Sequence, residues 1–147
     1  MTSELMASLS ADTNFAFPFL VTEGPEAAKW GGGLSEADRN IGYVLRETAV
    51  LQMRLALEER IREEFDLGTV SYMSPGSIKE WPLDEQRPLF DLLAPLPRRL
   101  GATLLKSGFV SPPYSTTGIF FKTREKFYNC SLCPREECPN RKAAYQV

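Results

Sequence analysis

Phe15, Phe17, Phe19 and Val21 alternate with Ala16, Pro18 and Leu20, the two-residue period of a strand with one aromatic face. Pro18 has no N–H to give to a ladder, which predicts an edge position for this strand. Gly24-Pro25 closes it, and a short segment from Glu26 to Trp30 leads into Gly31-Gly32-Gly33. The three glycines lack the Gly-Lys-Ser/Thr of a phosphate loop and the spaced glycines of a dinucleotide-binding turn. They read as a flexible linker between elements.

Ser35 opens the longest predicted helix. Ser35-Glu36-Ala37-Asp38 has the form of a capping box with aspartate in place of glutamate. Only Gly42 interrupts the helical run to Phe65, and Gly68 suits a stop. Ile41, Leu45, Ala49, Met53, Leu57, Ile61 and Phe65 recur at four-residue steps, widened by Val44, Leu51 and Leu55. Each such step advances the stripe by about 40° around the helix. The expectation is a core helix that touches different elements along its length. The charge run Glu58, Glu59, Arg60, Arg62, Glu63 and Glu64 reads as a solvated face near its end.

Beyond Gly68, Thr69 to Met73 reads as a short strand and Ser74-Pro75-Gly76-Ser77 as a turn. Pro82 and Pro88 bracket the start of a brief amphipathic helix through Leu89, Phe90, Leu92 and Leu93, which Pro95 and Pro97 end. Gly101 to Lys106 and Thr116 to Lys122 are two further strand candidates. Strands and helices mix without regular βαβ alternation, which predicts an α+β fold: a small antiparallel or mixed sheet with one long and one short helix.

The chain has 147 residues, 43% hydrophobic and 24% charged, so a single domain with a real core is expected. A net charge of −2 carries no electrostatic footprint for nucleic acid. The longest apolar runs, such as Ile119 to Phe121, are far short of a membrane span. Met1 to Asp12 has neither the basic start nor the apolar stretch of a signal peptide. The expectation is a cytoplasmic chain with no nucleic-acid or membrane partner. There is no histidine, which removes the commonest general base, the Ser-His and Cys-His nucleophile pairs and every histidine-containing metal site.

Two stretches, 74–93 and 100–128, resemble a known family. Ser-Pro-Gly-Ser-Ile-Lys-Glu-Trp-Pro-Leu-Asp-Glu-Gln-Arg-Pro-Leu-Phe-Asp-Leu-Leu at 74 to 93 is similar to the central block of the reactivation domain of cobalamin-dependent methionine synthase. Leu100-Gly101-Ala102-Thr103-Leu104-Leu105-Lys106-Ser107 resembles that family's Gly-x-x-Leu-Thr-x-Ser strand. Ser111-Pro112-Pro113 with Ser115-Thr116-Thr117-Gly118 resembles its Pro-x-x-Ser-x-Ser-Gly loop. With the preceding strand and long helix, the resemblance spans roughly 17 to 128. It divides the chain into a disordered N-terminus (1–13), a reactivation-type α+β domain (14–128) and a cysteine-rich tail (129–147).

The resemblance implies an S-adenosylmethionine groove that presents a methyl group to an inactive cob(II)alamin while a reductant supplies an electron. Such chemistry asks for orientation and needs no protein acid or base, which suits a histidine-free chain. By position it implies ligand contacts at Tyr72, Pro75, Gly76 and Ser77, at Ser115 and Gly118, and at Phe127 and Tyr128. Two of these depart from the family: Tyr72 stands where it has arginine, and Ser77 where it has tyrosine. A guanidinium fork binds a carboxylate through two charge-assisted bonds, whereas a phenol offers one neutral donor. Lys79 and Arg87 are the candidate cations to replace it. The implied partners are a corrinoid protein or corrinoid-dependent methyltransferase carrying the cobalamin, and a ferredoxin- or flavodoxin-type electron donor. The alternative is a non-catalytic docking module that keeps the fold, with a structural metal site.

All three cysteines, Cys130, Cys133 and Cys138, lie in the last eighteen residues as C-x2-C-x4-C, an addition to the family's pattern. Cys-x-x-Cys places two thiolates on one tight turn, the spacing that grips zinc or an iron–sulfur cluster. Three readings are open: an iron–sulfur cluster, a zinc site, or reduced thiols without metal. The fourth ligand would be Glu136, Glu137, a thiol of a second chain or an exogenous group. An iron–sulfur cluster is the reading that also serves an electron-requiring reactivation.

Overall fold

The computed structural model describes residues 15–133, 135, 137, 138 and 141–145; the expectation for residues 1–13 lies outside them. Three strands form one antiparallel sheet in the order β1-β5-β2: β1 (Ala16–Thr22), β2 (Thr69–Met73) and β5 (Ser115–Thr123). β1 is an edge strand, as Pro18 predicted, and pairs Phe17 with Phe120 and Phe19 with Gly118. β2 pairs Tyr72 with Phe120 and Met73 with Ile119 on the other side of β5. β5 is therefore central, and Thr117 through Phe121 are all buried.

Both faces of this sheet are covered. On one, Phe19, Val21, Val70 and Phe120 pack with Val50, Leu57 and Ile61 of the long helix α2 (Glu36–Glu64), and the Phe19 and Phe120 rings stack at 4.2 Å. On the other, Met73, Ile119 and Phe121 pack with Ile78, Trp81, Leu89 and Leu93. Leu89 lies on the short helix α3 (Gln86–Leu92), which follows a 3-10 turn (Leu83–Glu85). Helix α4 (Leu96–Arg99) leads to a small hairpin, β3 (Thr103–Leu104) with β4 (Val110–Ser111). The strand expected over Gly101 to Lys106 is thus reduced to two residues, because Leu105 already bonds back to Phe109 across the turn. The mixed α+β class and the small antiparallel sheet with one long helix stand as expected.

The glycine linker does not. Gly31 and Gly32 belong to helix α1 (Gly24–Gly32), which begins with Pro25 in its first turn. A Cβ on Gly31 would lie 2.3 Å from the Arg46 guanidinium, so glycine here lets α2 approach α1.

Helix α2 keeps its expected start, with the Asp38 N–H donating to the Ser35 hydroxyl at 3.2 Å. The face it turns to the sheet differs from the expected stripe. Ile41 and Leu45 are 63% and 55% exposed, and Met53 is exposed too; of the stripe, only Leu57 and Ile61 join the core. The buried side runs instead through Arg46, Val50 and Arg54. Its drift of about 40° per four-residue step is reset by the three-residue step from Arg54 to Leu57.

Two guanidinium groups can face a sheet because each meets a partner. Arg46 donates through Nε and Nη2 to the two oxygens of Glu23, at 2.5 and 2.7 Å, and lies 4.5 Å from the Tyr114 ring centroid. Its pKa is raised, first by the Glu23 hydrogen bonds, with desolvation opposing. The charge run is solvated at Glu59, Arg60, Arg62, Glu63 and Glu64, as expected, but Glu58 turns inward.

Candidate functional site

Arg54, one turn before Glu58, places its guanidinium carbon 4.1 Å from the Tyr72 ring centroid. Its Nη1 donates to Glu58 at 3.3 Å. The other Glu58 oxygen receives Lys126 Nζ, which also donates to the Val70 carbonyl. One carboxylate thus lies between two cations. Lys126 comes from the segment after β5, which is anchored where the Phe127 N–H donates to Ser71 Oγ at 2.8 Å. Ser71 is held in turn by Thr123 Oγ1 at 2.7 Å. This anchoring carries the chain back beside α2 and opens a groove of about 620 Å³ between them.

Val44, Leu51 and Leu55 of α2 make the apolar wall of the groove; Tyr72, Tyr128, Asn129 and Cys130 face them. Arg54, Lys126 and Lys142 stand against Glu47 and Glu58, a surplus of one positive charge. The size is that of a small-molecule site, and the surplus charge favours an anionic group on whatever enters.

Of the eight ligand contacts implied by resemblance, Tyr72 and Tyr128 line the groove. Pro75, Gly76 and Ser77 form a turn that does not line it. Gly76 sits at φ +78° with its N–H on the Trp81 carbonyl at 2.7 Å, and Pro75 is buried. Ser77 is joined to the groove wall, since Asn129 Nδ2 donates to Ser77 Oγ at 3.1 Å. Phe127 packs against the core under the segment. Ser115 and Gly118 are elsewhere. Ser115 Oγ donates to the Pro112 carbonyl at 2.7 Å and accepts from the Thr22 hydroxyl at 2.8 Å. A Cβ on Gly118 would lie 2.2 Å from the Met73 carbonyl oxygen, so this position serves strand packing. Arg54, rather than Lys79 or Arg87, is the cation found beside Tyr72. Sequence reading missed it, along with Glu58, Lys126 and Asn129. The available signal was two arginines eight residues apart, flanking Val50 on one helix face.

The cysteine segment begins in a 3-10 turn (Asn129–Ser131), and Leu132 packs against the core. Cys130, Cys133 and Cys138 are free and half-buried. The Lys142 N–H is directed at Cys130 Sγ, 3.4 Å away. Among the described residues no three Cys, Asp or Glu side chains converge on one point; Glu136 lies outside them, and Glu137 is exposed. Two buried polar atoms at this end of the molecule have no hydrogen-bond partner among the described residues, Asn129 Oδ1 and Arg141 Nε. Three soft sulfur donors within nine residues, one already receiving an N–H, are a donor set suited to iron–sulfur or zinc. No protein-family model, no curated protein and no solved structure matches the chain.

Proposed function

We propose that the groove binds S-adenosylmethionine and that the protein assists reductive reactivation of a corrinoid-dependent methyltransferase. The observation that carries this reading is convergence. Tyr72 and Tyr128, drawn from separate blocks of the resemblance, share one concavity with Cys130. The surplus positive charge among Arg54, Lys126 and Lys142 suits the ligand's carboxylate, and the unpartnered Asn129 Oδ1 suits one of its amino groups. Arg54 already covers the Tyr72 ring, so the Tyr128 face is the one to attract a cationic sulfonium, and the α2 side chains Val44, Leu51 and Leu55 give it an apolar contact. In the reaction, the sulfonium loses its methyl group as a cation and becomes a thioether. The cob(II)alamin of the partner accepts that methyl together with one electron from a ferredoxin- or flavodoxin-type donor.

Cys130, Cys133 and Cys138 would hold the metal. A bound iron–sulfur cluster supplies low-potential electron transfer, whereas zinc supplies only structural bracing. The exposed apolar residues of α2, Ile41 and Leu45 among them, favour a second reading, a docking module without ligand.

Equilibrium dialysis with labelled S-adenosylmethionine separates the two. The wild type is expected to bind saturably. Leu51→Arg, at an exposed position on the groove wall, is expected to weaken binding by more than about tenfold, 1.4 kcal/mol, without loss of fold. No binding by the wild type, or binding indifferent to Leu51→Arg, contradicts the proposal.

A further inference from the structure

Between Cys130 and Ala143, two backbone hydrogen bonds join described residues of the stretch to each other. Cys133 N–H donates to the Cys130 carbonyl at 3.3 Å and Arg141 N–H to the Cys138 carbonyl at 3.0 Å. Pro134 and Pro139 have no N–H to contribute. One side chain binds four carbonyls of this stretch. Arg141 Nη1 donates to the Cys130 and Ala143 carbonyls, at 2.8 and 3.0 Å. Its Nη2 donates to the Cys133 carbonyl at 2.9 Å and to that of Arg135. A single guanidinium therefore gathers both ends of the cysteine loop around itself.

We infer that Arg141 is the positioning residue of this loop: it holds the backbone at Cys130 and Cys133 so that their thiolates can share a metal, without being a ligand itself. The inference rests on the reading of the cysteines as a metal site. Three features support it. The guanidinium is planar and has five donors in fixed directions, so it sets the mutual orientation of the carbonyls it binds. Its backbone carries the next residue's N–H to Cys130 Sγ, and hydrogen bonds to ligand sulfur tune a thiolate site. Its charge offsets the negative charge of three thiolates around a divalent ion. Lysine offers a point charge on a flexible stem and cannot reproduce the fork.

The test is an anaerobic titration of the full, reduced protein with cobalt(II), followed by its thiolate charge-transfer absorption. Wild type, Arg141→Gln and Arg141→Lys are compared, with thermal melting of each protein in the metal-free state. The wild type is expected to show the band. Both variants are expected to bind about 10- to 100-fold more weakly, the usual cost of losing an outer-shell partner, while metal-free melting stays unchanged. If Arg141→Gln lowers that melting, Arg141→Lys carries the comparison. Wild-type affinity in both variants overturns the role of Arg141 and leaves the metal site standing. Absence of the band in the wild type overturns the metal site and the inference with it.

Discussion

Glu23→Ala is expected to cost about 3–5 kcal/mol, the usual loss when one partner of a buried ion pair is removed. Glu23 and Arg46 side chains are 2% and 8% exposed, so the truncation leaves a guanidinium with neither carboxylate nor water. The same carboxylate accepts the Tyr114 N–H at 3.3 Å, and that donor is orphaned too. Against the roughly 5–15 kcal/mol that holds most domains together, this is a large fraction. Removing both partners, as Glu23→Leu with Arg46→Met, is expected to recover much of the loss, because the desolvation cost of the charge goes with it. Urea unfolding of the two singles and the double checks this. A Glu23→Ala loss below about 1 kcal/mol, the scale of a surface ion pair, would show that the pair is solvated.

Gly118→Ala is expected to cost about 3 kcal/mol or more, at the upper end for overpacking, and Gly118→Val to abolish the fold. The added Cβ meets the Met73 carbonyl oxygen at 2.2 Å and the Phe19 ring at 2.9 Å. The first contact is backbone of the neighbouring strand and has no rotamer to change. Relief therefore requires parting β5 from β2, which opens the centre of the sheet. Near-UV circular dichroism and denaturant unfolding report the loss. A Gly118→Ala protein that folds like the wild type and fails only in ligand binding would instead assign this glycine to the ligand.

These two sites also show which parts of the molecule the sequence made legible. Strand β1 was readable from its alternating aromatics, and its edge position from Pro18, because both signals are local. The start of α2 was readable from Ser35 for the same reason. The buried face of α2 was not. An apolar stripe was the natural candidate, yet the sheet takes Arg46 and Arg54 because Glu23 and Tyr72 receive them, and those partners are distant in sequence. Helix α1 was hidden by its glycines, of which Gly31 serves the close passage of Arg46. In the groove, Tyr72, Tyr128 and Cys130 could be singled out by resemblance and spacing. Lys126, 68 residues from Glu58, and Asn129, 52 residues from Ser77, are joined only by the fold.

That the groove and the cysteine loop form one functional unit is the central claim, and a single alkylation experiment addresses it. Cys130 lines the groove, whereas Cys133 and Cys138 do not. Metal-free, reduced protein is treated with iodoacetamide, with and without saturating S-adenosylmethionine, and the modification rate of each cysteine is followed by mass spectrometry. The account predicts that the ligand slows alkylation of Cys130 selectively, leaving Cys133 and Cys138 at their ligand-free rates. Unchanged modification of Cys130 at saturation, or equal slowing at all three, would contradict it.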